Sequence, residues 1–198
     1  MRFSFIKTLA VVACLSPMSA YAAPEHYTFD ANHTNIDWRA NHFGFSNPSG
    51  KFAKSSGTLV LDEKAPEKSV VDITIDTTSL VTGIEKFDEH LKSPDFLDAK
   101  KFPTAHFKSR SVVLTGKDTA DVTGDLTLHG ITKSVVLKTK LNKIGENSMS
   151  HKHVAGFSAT TTLNRSDFGI KTGIPAVSDA IILTLEVEAI KDEAAKTN

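Results

Sequence analysis

Cysteine is nearly missing from this sequence: among 198 residues only Cys14 carries a thiol. It sits in the amino-terminal stretch read below as a cleaved leader, so the mature chain can form no disulfide and offers no thiolate nucleophile. Its stability in an oxidising compartment must then come from its core. An excess of one charge is missing too, with 23 basic residues against 23 acidic. Nucleic acid or an acidic membrane surface calls for a basic patch, and none is visible, so neither partner is expected. No second apolar run follows the leader, so no stable membrane anchor is expected either. A G-x-S-x-G elbow, a Gly-rich phosphate loop and an H-E-x-x-H pair are likewise absent. The sequence therefore assigns no catalytic residue, no metal and no resident cofactor, although groups gathered only in space escape such a search.

What is present begins with a targeting segment. Arg2 and Lys7 supply a positive start, Thr8 to Met18 is mostly apolar, and Ala20-Tyr21-Ala22 reads as a cleavage site. The apolar stretch is well short of the roughly 20 residues that span a bilayer. Residues 1–22 are read as a signal peptide, with Ala23 the new first residue. A lipoprotein reading of Val11-Val12-Ala13-Cys14 leaves only a very short apolar run and is disfavoured. Cleavage leaves 176 of the 198 residues, with 21 basic against 23 acidic. That is one domain over 23–190, large enough for a real core, followed by a polar tail over 191–198 expected to fray. In a Gram-negative host the destination is the periplasm.

Apolar and polar residues then alternate again and again, the pattern of half-buried strands. Ile36, Trp38 and Ala40 mark one. Phe52 with Gly57, Leu59 and Leu61 marks a second, and Val71, Ile73 and Ile75 a third. Further runs pass through Ala105-Phe107 to Leu114, Ala120 to Leu128, Val135 to Leu141, Ala155 to Leu163 and Ile181 to Val187. Between them fall turn signals such as Asn47-Pro48-Ser49-Gly50 and His129-Gly130. Only Thr77 to Pro103 departs from the pattern. There Ile84, Phe87, His90 and Leu91 recur at helical spacing, and Ser93-Pro94-Asp95 can begin a second short helix. The fold class is all-β, with about eight strands and a helical insert. Eight strands avoid exposed edges by closing into a barrel or packing as a sandwich, and the pattern does not separate the two. Inward positions mix bulky with small residues, which composition alone reads as a filled core.

Several blocks resemble the YceI family of secreted, lipocalin-like proteins. They are Phe29-Asp30-Ala31-Asn32-His33-Thr34, Asn41 to Ser46 leading to Gly50-Lys51-Phe52, and His90 to Ala99. Lys101-Phe102-Pro103 running into Phe107-Lys108-Ser109, then Gly124 to Lys133, Gly156-Phe157 and Asn164 to Ile170 complete the set, in order and across essentially the whole mature chain. The resemblance implies an extended eight-stranded antiparallel lipocalin-like barrel with a short helical insert, and a lumen that takes a polyisoprenoid or an isoprenoid quinone-like amphiphile. It reverses the preference for a filled core. Two positions depart from the family pattern: Thr34 stands where serine is usual, keeping a hydroxyl, and Phe87-Asp88 stands where an Arg-Asp pair is common, removing a charge.

On that reading the protein is a non-catalytic carrier of a long-chain isoprenoid lipid, and pairing of two barrels as a homodimer is left open. Strand phase and size nominate Ile36, Trp38, Phe43, Phe107, Leu126, Phe157, Leu183 and Leu185 for the lumen, against the plain alternative that each is ordinary core. His42, Arg165, Asp167 and Lys171 are nominated for a polar mouth, against surface loop or local ion pair. His151-Lys152-His153 has metal-ligand spacing but no third ligand, so a solvated turn is the better reading. His33, His42, His90 and His129 are expected to make structural hydrogen bonds. An enzyme acting on such a lipid, and a filled barrel that works through its outer surface in a stress response, are the competing hypotheses.

Overall fold

The computed structural model describes residues 24–193; the expected signal peptide and the end of the polar tail lie outside the described residues. In chain order the elements are β1 (Glu25–Phe29), β2 (Asn35–His42), β3 (Ser49–Phe52), β4 (Ser55–Leu61), β5 (Val70–Asp76) and β6 (Leu80–Val81). Helix α1 (Glu85–Lys92) follows, then β7 (Thr104–Leu114), β8 (Thr119–Leu128), β9 (Ile131–Glu146), β10 (His153–Asn164) and β11 (Val177–Lys191).

All eleven segments belong to one antiparallel sheet that closes on itself, because β11 pairs with β1 as well as with β10. The ring has eight strand positions. β11 pairs through Tyr27↔Lys191 with β1 and through Leu185↔Ile36 with β2, so β1 and β2 are two halves of one strand, interrupted at residues 30–34. β4 and β3 divide the next position in the same way, and β5 and β6 the one after. The expected eight-stranded barrel is therefore the observed one. β1, a five-residue segment, and β6, with two residues, are the pieces that the alternation did not register.

The interruption at residues 30–34 is held by a local pair. Asp30 Oδ2 and His33 Nδ1 lie 2.7 Å apart, and Asp30 Oδ1 accepts from the Asn32 amide at 2.9 Å. The hydrogen bond to Asp30 raises the His33 imidazole above its ordinary value, and the same bond holds the Asp30 carboxyl below its own.

The insert is helical only over Glu85–Lys92. Asp88 fixes its start, its Oδ1 accepting from both the amide and the hydroxyl of Thr82 at 2.6 Å. The second helix expected at Ser93-Pro94-Asp95 does not form. The Leu97 amide turns back to the Leu91 carbonyl and the Asp98 amide to that of Ser93, and Asp98 takes a φ of 42°, so the chain folds into successive turns instead. Phe87, Leu91 and Leu97 pack on Trp38, Ala40 and Leu80, which seats the insert over one end of the barrel. At the other end lie the β7–β8 and β9–β10 hairpins and the β4–β5 connection.

The Asp30–His33 pair has a pH signature. Its histidine contribution is fully present below the unfolded value of 6.5 and is lost as pH rises through the raised folded value. Its aspartate contribution is present above 3.8 and is lost as pH falls through the lowered one, so the two coincide between those limits. Titration of the imidazole resonances by NMR should place His33 above an ordinary histidine, and Asp30→Asn should return it towards the ordinary value; an unshifted His33 in the wild-type protein would contradict the pairing.

Candidate functional site

Strand alternation sends one set of side chains into the barrel, and they do not fill it. Two apolar cavities lie end to end. The hairpin chamber, about 330 Å³, is lined by residues that include Leu59, Ile73, Phe107, Val122, Phe157 and Leu185, and it opens among Glu63, Lys117 and Asp118. The helix chamber, about 250 Å³, lies under the insert and is lined by Ile36, Trp38, Phe52, Leu126, Ile181, Leu183 and others, with Phe87, His90 and Phe96 over them. The two have no lining residue in common.

A waist divides them. Ile36, Leu126 and Leu163 from the helix chamber pack in one cluster with Ile73, Phe107 and Leu185 from the hairpin chamber. Phe107 reaches across because Gly124 leaves room for its ring. A Cβ at Gly124 would stand 2.6 Å from Phe107 Cε2 and 2.5 Å from the Lys108 carbonyl oxygen, closer than real side chains approach. The same device recurs at Gly57, where a Cβ would lie 2.8 Å from Phe29 Cδ2. Small residues in this barrel thus serve as sockets for aromatic rings as well as boundaries of open space.

Polar groups gather at the helix-chamber end. Arg165, only 6% exposed, opens a 3₁₀ turn over Arg165–Phe168. Its guanidinium donates to the backbone carbonyls of Ser178 (2.9 Å), Thr172 (2.7 Å), Val177 (3.1 Å) and Ile170 (3.3 Å), and lies 5.9 Å from the centre of the Phe96 ring. Burial pulls its pKa down from the ordinary arginine value, with the nearby Asp179 charge opposing. Ser166 donates through its amide and hydroxyl to Asp179, at 2.8 and 2.6 Å. These contacts pin the loop over residues 165–178 to the start of β11. Arg165 is the corner post of the chamber wall.

Seven of the eight residues nominated for the lumen line a chamber: Ile36, Trp38, Leu126 and Leu183 the helix chamber, and Phe107, Phe157 and Leu185 the hairpin chamber. Phe43 does not. It sits past the end of β2 on the turn at a φ of 54°, is 54% exposed, and packs edge-on against His42, because the strand ends before its side chain can enter the barrel. Among the mouth residues, His42 and Arg165 line the helix chamber, whereas Asp167 faces a groove on the outer wall and Lys171 is exposed and lines neither chamber. His151 and His153 do not act together: His151 Nδ1 meets Glu146 at 2.9 Å, and His153 Nε2 lies 4.0 Å from Glu63. His33 pairs with Asp30, and His129 Nδ1 lies 3.0 Å from the Phe168 carbonyl oxygen, as structural histidines should. His90 instead lines the helix chamber, edge-on to Phe96. Sequence reasoning missed the contribution of the insert, whose Phe87, in place of the family's usual arginine, stands edge-on to Trp38 with ring centres 6.4 Å apart. The helical spacing of Phe87 and Leu91 was the signal for it.

Among the described residues, two trios could gather metal-ligating atoms, Glu25–Glu63–His153 and Asp30–His33–Glu188, each within 4.8 Å. Both are committed to internal ion pairs, Glu25 to Lys191 and Asp30 to His33.

Replacing Arg165 with methionine should therefore act on stability, since it strips four carbonyls of a charged donor. Urea unfolding should show a loss of at least about 3 kcal/mol; a loss within about 0.5 kcal/mol, the range of ordinary surface substitutions, would mean the guanidinium is not a post of the wall.

A protein-family model described as a YceI-like domain matches residues 27–189. A UPF0312 protein of Pseudomonas putida is 42% identical over 191 residues, covering 94% of this chain and 98% of its own. Among solved structures, a YCEI protein of Campylobacter jejuni is 32% identical with a TM-score of 0.70, covering 77% of this chain and 90% of that one. A polyisoprenoid binding domain from Saccharophagus degradans, 14% identical, superposes with a TM-score of 0.66 over 84% of this chain and 98% of its own. A barrel of eight antiparallel strand positions, a helical insert at one end and a family match across nearly every described residue lead to one assignment: the chain belongs to the YceI family.

Proposed function

We propose that the protein is a binding protein that holds the tail of a long-chain isoprenoid lipid, or an isoprenoid quinone-like amphiphile, in its chambers without transforming it. We place it in the periplasm after removal of residues 1–22. The observation that carries this reading is the divided, open, apolar lumen: two cavities of about 330 and 250 Å³ walled mainly by hydrocarbon side chains. Together they fall within the roughly 300–1,000 Å³ typical of small-molecule sites. Each methylene moved from water into such a space gains about 0.8 kcal/mol, offset in part by ordering the tail. The description of the Saccharophagus degradans domain as polyisoprenoid binding is consistent with it. Hydrocarbon offers nothing to read by hydrogen bonding, so selectivity rests on the length and width of the chambers.

The protein carries its own reporter. Trp38 is the only tryptophan, and it lines the helix chamber. Titrating delipidated, folded protein with geranylgeraniol should change Trp38 emission saturably, and native mass spectrometry should detect a one-to-one complex. A folded protein that takes up no long-chain isoprenoid would end this reading. Phe107→Ala should join the two chambers and shift preference towards longer tails in a competition series of isoprenoid alcohols. The truncation carries a stability cost of about 3–5 kcal/mol, to be checked by urea unfolding. An unchanged preference in the folded variant would show that the waist does not limit the ligand.

A further inference from the structure

Two phenyl rings stand out of the barrel beside the helix chamber. Among the described residues, Phe45 and Met149 are the most exposed large apolar side chains, at 91% each, and Phe45 shares the turn between β2 and β3 with the half-exposed Phe43. That turn is not loose. The His42 amide donates to the Ser46 carbonyl (2.8 Å), the Phe45 amide to that of His42 (3.0 Å) and the Phe43 amide to that of Ala176 (2.7 Å), while Asn41 Oδ1 accepts from the Gly44 amide at 2.9 Å. Phe43 and Gly44 take φ values of 54° and 76°. Successive positive φ values belong to the tight primed hairpin turns, whose first central residue is ordinarily Asn, Asp or Gly. Phenylalanine there opposes the backbone preference and still leaves half its surface in water, so neither the turn nor the core accounts for it.

Charge is kept away from the same place. Residues 43–50 include no charged side chain, and neither do residues 172–178, the loop whose Ala176 carbonyl holds the Phe43 amide. Pro175 and Ala176 add exposed apolar surface to that second loop. Both loops are rooted in the chamber wall, since His42, Pro48 and Val177 line the helix chamber. The opposite end is built differently: Met149 sits on a hairpin with Glu146, His151, Lys152 and His153, and the hairpin chamber opens among Glu63, Lys117 and Asp118. An uncharged rim with two phenyl rings standing from it suits the boundary of a lipid bilayer, where apolar groups gain by leaving water. The apolar chamber behind the rim favours a bilayer over a protein partner, because a tail that leaves the membrane there does not cross water.

We propose that this rim, the turn after β2 together with the 172–178 loop, docks the barrel on an electrically neutral lipid bilayer, with Phe43 and Phe45 entering the headgroup region and the helix chamber facing the membrane. This rests on the lipid-binding reading above and adds to it the surface through which the cargo passes. Two rings bury far less than a membrane span, so the contact is reversible. Its strength comes from apolar area rather than ion pairs, and salt has little effect on it.

Flotation of the mature protein with phosphatidylcholine vesicles measures the contact. Wild-type protein should float with the vesicles, equally at about 0.1 and about 1 M sodium chloride. Phe45→Ser should lower the partition coefficient at least about tenfold, and the double variant Phe43→Ser, Phe45→Ser should lower it further. Both should keep wild-type affinity for geranylgeraniol, read by Trp38 emission without vesicles. Met149→Ser, which removes an equally exposed side chain at the other end of the barrel, should float as wild type does. Wild-type protein that does not float, or flotation that survives in the double variant, overturns the docking surface while cargo binding stands. Flotation abolished by about 1 M salt overturns the apolar contact in favour of ion pairing. A dimer in sedimentation velocity that Phe45→Ser dissolves overturns the bilayer as occupant and gives the rim to a second copy of this chain. If folded wild-type protein takes up no geranylgeraniol, the lipid-binding reading fails and the route for cargo falls with it, even where the protein floats.

Discussion

The fold depends on one strand having two partners along the same edge. β11, fifteen residues long, pairs with β10 over almost its whole length on one side. On the other it gives its end to β1 and its beginning to β2. That shared edge closes the sheet, and closure defines an inside. Without it, Tyr27 and Ala189, both fully buried at the seam, would be edge residues facing water. With it, the phase of every strand is fixed, because slipping any one by a single residue would exchange its apolar and polar faces. The offset between β1 and β2 at residues 30–34 is the accommodation that lets one edge serve both halves.

Closure alone does not leave open space; side-chain size does. A ring of eight strands is just wide enough for side chains to fill or for one small ligand to enter. Here the large rings are paired with glycines, Phe107 over Gly124 and Phe29 over Gly57, so bulk concentrates at particular levels and is withheld from others. Open apolar volume forgoes dispersion contacts and weakens a core. That cost, retained on both sides of the waist, is the kind of local departure from close packing that functional sites show. Arg165 works in the opposite sense. It spends a buried charge on backbone carbonyls to hold the loop that walls the helix chamber.

Much of this was legible in the sequence because the strands keep their period. The eight alternating runs coincide with the eight positions of the ring, and phase selected Ile36, Trp38, Leu126 and Leu185 correctly as inward residues. Where phase was set aside for size, the reading failed: Phe43 lies beyond the end of β2, whereas His42, in step with Ile36, Trp38 and Ala40, lines a chamber. β6 is too short for any periodic signal. The role of Arg165 was hidden because its partners are backbone carbonyls, which every residue possesses. The division of the lumen was hidden because it depends on Phe107 leaning across to a glycine on the neighbouring strand. That the pairing of β9 with β10 stops at Thr160↔Lys138 was hidden because each strand keeps its regular pattern and its other partner. Local pattern records what a strand is, not where one of its two ladders stops.

The two chambers draw on disjoint sets of residues. A change in one wall can alter what that compartment admits while leaving the shape of the other intact, whereas a change in the cluster around Phe107 alters both at once. The insert sharpens this separation, since the helix chamber takes part of its lining from the insert, and the hairpin chamber takes none from it. Within one scaffold, adaptation has two dials rather than one: the barrel can keep a tail-holding compartment constant while drift in a single surface segment resizes its neighbour.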